Sequence, residues 1–226
     1  MIKNSSWCAL FDWDGVVIDS SRLHEKSWEW MADEYALVLP EGHFRRGFGM
    51  KNERIIPEVL GWATDIHEIR ELAARKETRY RELVMEEGLE PLPGVGPWLE
   101  RLNAGGISCA IASSTDRANI DCVLERIGFG RFFKAIVSGD EVRHGKPAPD
   151  IFQKAAAKLG GLPSIVFEDA LVGIEAAHRA GMAVVAVTTT HPAHELGAAE
   201  KVVARLDDLT LDEAQSLALT GWRATA

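Results

Sequence analysis

Short apolar runs alternate with amphipathic helical segments along most of the chain. The runs predict strands at 7–11, 108–112, 135–138, 165–167 and 183–187, and a short edge strand at 202–203. The amphipathic segments predict helices at 95–103, 116–127, 149–159, 170–180 and 211–219. Because the strands are almost continuously apolar, we expect a parallel sheet covered by helices on both faces. The predicted fold class is therefore α/β.

A helical block interrupts this alternation after the first strand. Apolar and aromatic positions at helical spacing follow Ser20 and Ser21, either of which is a plausible N-cap. The block ends at 90–94, where two prolines and a glycine prevent a helix from continuing. The chain is therefore predicted to form a core from residues 1–19 and 91–226, with a helical insertion at 20–90.

Composition restricts the classes of function. The 226 residues are 46% hydrophobic, enough for a large buried core, and no apolar run is long enough to span a membrane. The net charge of −9 argues against nucleic-acid binding, which requires a basic face. The first residues do not resemble a signal peptide, so we expect a cytoplasmic protein with no membrane partner. The three cysteines, Cys8, Cys109 and Cys122, are interpreted as reduced thiols.

Two aspartates follow the first predicted strand. Side chains two positions apart in extended backbone point the same way, so Asp12 and Asp14 should converge while Trp13 points away from them. Two like charges 4 Å apart repel by about 4 kcal/mol at an effective dielectric constant of 20, so such a pair needs a cation or a shared proton. A solvated surface turn is the alternative interpretation of these residues alone.

Polar residues also follow other predicted strands. Ser113 and Ser114 end the strand at 108–112, Glu168 and Asp169 end the strand at 165–167, and Lys146 precedes a helix. Parallel strands end at one edge of a sheet, where ligands of such folds bind. Four carboxylates, one lysine and a serine-rich turn at that edge predict a site for a hard divalent cation, most naturally Mg²⁺.

Four segments, FDWDGVVIDS, IASS, GKPAPDIF and FEDALVGIEAAHRAG, resemble the four motifs of the haloacid dehalogenase superfamily. They are similar to those of its phosphatase and beta-phosphoglucomutase-like branch, occur in the family's order, and span the chain from Trp7 to about Thr188. The resemblance implies a Rossmann-like core with a helical cap inserted after the first motif. The predicted insertion at 20–90 matches that cap.

The resemblance also implies roles for the motif residues. Asp12 would be the nucleophile that takes the phosphoryl group, and Asp14 the general acid and base. Ser113 would bind the transferring phosphoryl group, and Lys146 would balance its charge and that of Asp12. Mg²⁺ would be held by Asp12, by the backbone carbonyl of Asp14 and by Asp169, with Glu168 as a ligand or a neighbour of the site.

Specificity is expected in the cap, which closes over the phosphate. The predicted substrate-binding residues are His24, Lys51, Lys76 and Ser114; a surface position is the alternative for His24 and Lys76. The basic segment 45–54 resembles the cap loop that faces the active site. His191 and His194, spaced as HxxH in a proline-containing loop, are interpreted as surface residues.

The function implied is a Mg²⁺-dependent phosphatase that hydrolyses a small phosphorylated metabolite, such as a sugar phosphate, through an aspartyl-phosphate on Asp12. A phosphohexomutase is the alternative, although Met50 stands where such mutases carry a phosphate-binding arginine, with Lys51 and Arg54 as approximate substitutes. A non-catalytic binding protein on the same fold is disfavoured because every motif residue is present. Monomer and homodimer are both compatible with the sequence.

Overall fold

The computed structural model describes residues 6–47 and 50–221. Within these residues the strands form one parallel sheet with the order β3-β2-β1-β4-β5-β6. The strands are β1 (Cys8–Phe11), β2 (Ser108–Ala112), β3 (Phe133–Val137), β4 (Ser164–Glu168), β5 (Ala183–Val187) and β6 (Lys201–Val203). The predicted α/β class and parallel sheet are confirmed.

The strand order reverses direction beside β1. The chain builds β2 and β3 on one side of β1, and then places β4, β5 and β6 on the other. Phe11, the last residue of β1, lies opposite Ile111 of β2 and Phe167 of β4. A reversal of this kind opens a crevice at the carboxyl ends of the strands, where ligands bind. The residues that follow Phe11 and Phe167 therefore face that crevice.

Helices cover both faces of the sheet. One layer contains α5 (Val95–Ala104), α6 (Arg117–Ile127) and α9 (Leu211–Thr220), and the other contains α7 (Asp150–Lys158) and α8 (Leu171–Arg179). Short 3₁₀ turns lie at Phe129–Phe132, Gly139–Glu141 and Leu206–Asp208. Within β1, Ala9 and Phe11 pack toward the first layer and Leu10 toward the second. Burial on both faces explains why the strands are apolar throughout.

The insertion is helical, as predicted. It contains α1 (Ser21–Tyr35), α2 (His43–Gly47), α3 (Asn52–Arg54), a π-helical segment (Ile55–Leu60) and α4 (Ile66–Glu87). It has a hydrophobic cluster of its own, with Trp28, Met31 and Ile56 at the centre. The chain enters and leaves side by side, because the Leu92 amide donates to the Val17 carbonyl at 2.9 Å. Phe48 and Gly49, part of the predicted cap loop, lie outside the described residues.

Helix α4 ties the insertion to the sheet. Its first half contributes Ile69 and Leu72 to the insertion's cluster, whereas its second half contributes Tyr80 and Val84 to the core beside the sheet. A single rigid helix thus belongs to two hydrophobic cores. The boundary at residue 90 stays a prediction.

Several element ends differ from the sequence-based expectation. The third strand begins at Phe133, two residues earlier than predicted, because Phe133 pairs with Cys109 before a register shift. Ser20 is the N-cap residue of α1, but its hydroxyl makes no capping hydrogen bond and donates to Asp14 instead. The predicted N-cap position at Ser20 is confirmed, although its hydroxyl contacts Asp14 and not the helix amides.

Two of the composition-based inferences concern membranes and thiols. In the ranges 6–47 and 50–221, no helix combines the length and the apolarity needed to cross a membrane. Cys8 and Cys109 are buried free thiols, and Cys122 is a half-buried one. The cytoplasmic location stays a prediction.

The packing of α5 against the sheet gives a test of stability. Leu99 is fully buried in this layer, whereas Leu219 on α9 is 51% exposed. We expect Leu99→Ala to lower the free energy of unfolding by about 2–5 kcal/mol, because it leaves a cavity in a packed core. Leu219→Ala, the matched control, should change it by less than about 0.5 kcal/mol. Urea denaturation measures both, and equal losses would contradict this account of the core.

Candidate active site

All nine predicted site residues line one cleft between the sheet edge and the insertion. They are Asp12, Asp14, His24, Lys51, Lys76, Ser113, Ser114, Lys146 and Asp169. The cleft opens to solvent and spans about 1120 Å³ when the open space at its mouth is included. Trp13, between the two aspartates, is fully buried in the core, so it points away from the cleft as expected.

A buried lysine joins two carboxylates at the strand ends. The Lys146 Nζ lies 3.0 Å from Asp12 Oδ1 and also donates to Glu168 Oε1. The other oxygen of Glu168 accepts from the backbone amides of Asp169 and Ala170, at 2.7 and 2.8 Å. The Asp12 amide donates to the Phe167 carbonyl at 3.0 Å, which fixes Asp12 to β4. Lys146 therefore neutralises only part of the local negative charge.

Asp169 has no such compensation among the described residues. Both of its carboxylate oxygens are buried without a hydrogen-bond partner, and it forms a cluster with Asp12 and Glu168 whose oxygens lie within 4.8 Å of one another. A buried carboxylate without a partner is costly, and oxygen ligands at this spacing suit a hard divalent cation. The cluster fits Mg²⁺ by its donor atoms and by its deficit of positive charge.

The electrostatics of the cluster lead to the same interpretation. Burial, together with the charges of Glu168 and Asp14, raises the pKa of Asp12 to about 7 against the opposing effect of Lys146. Burial, Glu168 and Asp12 together raise the pKa of Asp169 well above its usual range. The pKa of Lys146 is also raised, since Asp12 and Glu168 outweigh its desolvation. Without a further cation the carboxylates therefore resist full ionisation.

Asp14 lies in a different environment from Asp12. Its carboxylate accepts from the hydroxyls of Ser20 and Thr115, and the His24 Nε2 lies 3.7 Å from its Oδ1. Burial would raise the pKa of Asp14, but His24 and the two hydroxyls hold it below its usual range. Two carboxylates two residues apart thus have opposite pKa shifts, an arrangement typical of acid and base pairs.

The insertion determines the tautomer of His24. The Lys76 Nζ lies 2.6 Å from His24 Nδ1, and an ammonium group can only donate, so Nδ1 accepts. The ring proton of neutral His24 is then on Nε2, which faces Asp14. Tyr80 stacks on the imidazole with ring centroids 3.9 Å apart, which fixes its plane. Lys76 is 2% exposed, so its alternative interpretation as a solvated residue was wrong.

A buried carboxylate, Glu77, connects three parts of the chain. Its Oε1 accepts from Lys76 at 2.9 Å and from Asn52 at 2.6 Å, and its Oε2 accepts from Asn119 of α6. Burial opposes ionisation, but Lys76, His24 and Asn52 lower the pKa of Glu77 to about 2. An ionised Glu77 therefore holds the insertion against the core.

Ser113 lies where β2 ends. It is buried, and its Oγ accepts from the Thr115 amide at 3.1 Å, which leaves the hydroxyl proton available to a ligand oxygen. The Ser113 amide donates to the Val137 carbonyl at 3.0 Å, which fixes the turn to β3. The turn thus presents one hydroxyl to the phosphate side of the cleft and another, from Thr115, to Asp14.

Comparisons with known proteins agree with this geometry. Residues 8–181 match the family model of the haloacid dehalogenase-like hydrolases. The chain belongs to that family. It is 35% identical over 211 residues to the beta-phosphoglucomutase of Bacillus subtilis, covering 90% of this chain and 91% of that protein. The predicted family and its beta-phosphoglucomutase-like branch are confirmed.

A plant enzyme of this haloacid dehalogenase-like family is also similar. The chain is 39% identical over 217 residues to the chloroplastic 5-amino-6-(5-phospho-D-ribitylamino)uracil phosphatase of Arabidopsis thaliana. The alignment covers 94% of this chain, which spans 58% of the length of that relative. A family IA hydrolase structure from Entamoeba histolytica superposes with a TM-score of 0.84 at 28% identity, over 94% of this chain and 99% of the other. The predicted enzyme class is confirmed at the level of a haloacid dehalogenase-like hydrolase.

Lys51 and Arg54, two basic residues of the predicted cap loop, make contacts that the sequence did not predict. The Lys51 Nζ donates to the carbonyls of Gly139 and Val142, the latter at 3.2 Å, so Lys51 bridges the insertion and the core. Arg54 pairs with Glu58 at 2.8 and 3.0 Å, is exposed, and is not among the residues lining the cleft. Of the two approximate substitutes for the mutase arginine, only Lys51 therefore lines the cleft, because the Arg54 guanidinium pairs with Glu58 one helical turn away.

Other site residues were missed or misjudged. Glu168 was expected as a metal ligand or as a neighbour of the metal site. It is central to the site, because its carboxylate accepts hydrogen bonds from Lys146 and from two backbone amides. His191 was interpreted as a surface residue, yet its Nδ1 lies 3.0 Å from the Asp169 carbonyl oxygen, whereas the His194 side chain is 80% exposed. Glu77 gave no sequence signal, since its partners come from distant segments.

The cluster around Asp169 predicts a response to the metal. Mg²⁺ at about 100 times its dissociation constant should stabilise the wild-type fold by about 2.7 kcal/mol. In Asp169→Asn we expect the Mg²⁺-induced rise in melting temperature to disappear, while the metal-free melting temperature stays the same or rises. The exposed Asp121 gives the control Asp121→Asn, which should keep the wild-type response. Equal Mg²⁺ responses in all three proteins would exclude Asp169 as a ligand.

The Glu77 contacts predict a pH dependence of stability. Its pKa is about 2 in the folded protein against an ordinary 4.5, so its contribution is complete above pH 4.5 and is lost as the pH falls toward 2. At 1.36 kcal/mol per pKa unit, this contribution is at most about 3 kcal/mol.

We expect Glu77→Gln to lower the free energy of unfolding at pH 7, and the difference from wild type to shrink toward pH 2. Glu82→Gln, at an exposed position of α4, is the control and should show little difference at either pH. Denaturant unfolding at a series of pH values measures both. A pH-independent difference for Glu77→Gln would contradict the assignment.

Proposed function

We propose that this protein is a Mg²⁺-dependent phosphatase that hydrolyses a phosphorylated sugar or polyol through an aspartyl-phosphate on Asp12. The observation that supports this most directly is the juxtaposition of Asp12, Lys146 and Asp169 at the strand ends beside a separately hydrogen-bonded Asp14. One carboxylate can thus attack phosphorus and a second can transfer a proton. Covalent phosphoryl transfer needs both a nucleophile and an acid–base group.

The first half-reaction transfers the phosphoryl group to Asp12. A carboxylate oxygen of Asp12 forms a bond to phosphorus as the bond from phosphorus to the leaving oxygen breaks. Lys146 and the Ser113 hydroxyl are placed to balance and orient the phosphoryl oxygens. Asp14, protonated in the complex with substrate, gives its proton to the leaving oxygen, which departs as an alcohol, and Asp14 is left ionised beside the Nε2 of His24.

The second half-reaction releases phosphate. Asp14, now ionised, takes a proton from water, whose oxygen bonds to phosphorus as the acyl-phosphate bond breaks and the Asp12 carboxylate is restored. The low pKa of Asp14 suits this state. Mg²⁺, which Asp12, Asp169 and the backbone carbonyl of Asp14 would hold, supplies positive charge that lets a phosphate dianion approach a carboxylate.

The substrate proposal draws on the relatives. The Arabidopsis protein is a phosphatase of a ribityl phosphate, which is a phosphorylated polyol, so its substrate is the first to test here. The Bacillus relative favours a phosphohexomutase as a second candidate. A mutase must hold a bisphosphate. Met50 lines the cleft at the position where such mutases are expected to carry a phosphate-binding arginine, and Arg54 does not line the cleft. The phosphatase is therefore the better supported.

Replacing the nucleophile tests the covalent mechanism. In Asp12→Asn we expect phosphate release to fall by about 10⁴-fold or more, since the amide cannot accept the phosphoryl group. The fold should persist, because a buried negative charge is removed and not introduced. The exposed Asp33→Asn is a control that should keep wild-type activity. Release is measured with Mg²⁺, and circular dichroism verifies folding; turnover in a folded Asp12→Asn would exclude the intermediate.

A substrate panel separates the candidate functions. We expect phosphate release from a narrow group of sugar and polyol monophosphates, including 5-amino-6-(5-phospho-D-ribitylamino)uracil. Beta-glucose 1-phosphate is tested with and without a trace of glucose 1,6-bisphosphate. Formation of glucose 6-phosphate that depends on the bisphosphate, without phosphate release, would establish the mutase instead.

A further inference from the structure

The outer part of the cleft is acidic. Eight carboxylates and three lysines line the described part of the cleft, and no arginine does. Four of the carboxylates, Asp12, Asp14, Glu168 and Asp169, belong to the phosphoryl-transfer end already described. Glu77 is ion-paired with Lys76, and Glu53, Asp116 and Asp140 remain on the outer walls, where all three are exposed to solvent. The part of a substrate that extends beyond the phosphate, which is the leaving group, therefore meets negative charge.

The lysines of the cleft are already engaged. Lys146 contacts Asp12 and Glu168, and Lys76 contacts Glu77 and His24. Lys51 donates to two backbone carbonyls of the core, and its aliphatic stem packs against Gly145. Each ammonium group thus already has two hydrogen-bond partners, with which a second anionic group on the substrate would compete. Hydroxyl or amino groups, in contrast, could donate to the outer carboxylates without such a cost.

Among Glu53, Asp116 and Asp140, Asp116 lies closest in sequence to a residue of the phosphoryl-transfer end of the cleft. It follows the Ser113–Thr115 turn and is the N-cap residue of α6, but its side chain makes no capping hydrogen bond, so its carboxylate is available to a ligand. Asp116 is exposed as a whole residue, but partial burial of its carboxyl group, with the charges of Glu77, Asp140 and Glu53, raises its pKa to about 6. The neighbouring negative charges thus already disfavour one more, and an anionic leaving group would add to that repulsion.

The outer wall also has apolar members. Trp28, Phe44, Met50 and Ile55 of the insertion line the cleft. The ring of Trp28 is held in place by the insertion's own core and lies 5.1 Å from the Lys76 Nζ. Apolar side chains cannot solvate a second phosphate or a carboxylate, but they can pack against the carbon skeleton of an uncharged leaving group.

We propose that Asp116 is a specificity-determining residue, and that the outer cleft selects phosphate monoesters whose leaving group is uncharged or cationic and rich in hydrogen-bond donors. A second phosphate or a carboxylate on the substrate is rejected. This inference rests on the proposed function, because it assumes that the phosphate binds at Asp12. It adds the charge class of the leaving group, which the catalytic residues do not determine.

Four sugar phosphates that share a phosphate on C6 test the proposal. Glucose 6-phosphate and glucosamine 6-phosphate carry neutral and cationic leaving groups, whereas 6-phosphogluconate and glucose 1,6-bisphosphate carry a second anionic group. Binding is measured by calorimetry with Mg²⁺ to the Asp12→Asn protein, so that no turnover intervenes. We expect the first two to bind at least tenfold more tightly than the last two, a difference of about 1.4 kcal/mol.

The Asp116→Lys substitution, made in the Asp12→Asn background, should narrow that difference at least fivefold by strengthening the binding of the two anionic ligands. Asp121→Lys introduces the same charge change on α6 away from the cleft lining, and should leave the difference unchanged. The proposal is overturned if the anionic ligands bind as tightly as glucose 6-phosphate, if the neutral and cationic ligands do not bind, or if Asp116→Lys behaves like Asp121→Lys.

Turnover distinguishes this failure from failure of the proposed function. If wild type releases phosphate from neutral and anionic esters alike, the phosphatase stands and the charge selection is wrong. If binding discriminates but no ester in the wider panel is hydrolysed, the charge selection stands and the phosphatase is wrong.

Discussion

The site depends on a shortage of positive charge at the carboxyl ends of β1 and β4. Asp12, Glu168 and Asp169 are buried within 4.8 Å of one another, and Lys146 contacts only two of them. Burying unpaired charge costs several kcal/mol per ion, so the cluster is poorly stable by itself. That cost favours the binding of a divalent cation, whose charge would in turn let an anionic phosphoryl group approach the carboxylates.

The surrounding fold keeps this charge cluster in place. A Cβ on Gly15, whose φ is +81°, would overlap the Asp169 carboxylate, and one on Gly173 would overlap Glu168. Glycine at these two positions lets the backbone approach the acids closely enough to bury them. Sheet hydrogen bonds fix Asp12 to β4 and Ser113 to β3, so the site is assembled by the most rigid part of the molecule.

The insertion acts on the same site from the opposite side. Lys76 sets the tautomer of His24, His24 faces Asp14, and Glu77 links this group to Asn119 in the core. Lys51 adds a second connection between the insertion and the core through Gly139 and Val142. The elements that would contact the leaving group and the acid that would protonate it are therefore physically connected. Binding of the correct leaving group and positioning of Asp14 can reinforce each other.

The sequence alone determined the parallel sheet, the helical insertion and the motif residues, because apolar periodicity and strand-end polar residues are local signals. It placed Asp12, Ser113, Lys146 and Asp169 at one sheet edge without coordinates. Only the tertiary structure decided how polar groups pair across the chain: Ser20 donates to Asp14, Lys51 binds core carbonyls, and Glu77 is buried. Such pairings join distant residues, for example Lys51 and Val142, which are 91 positions apart, and no local pattern encodes them.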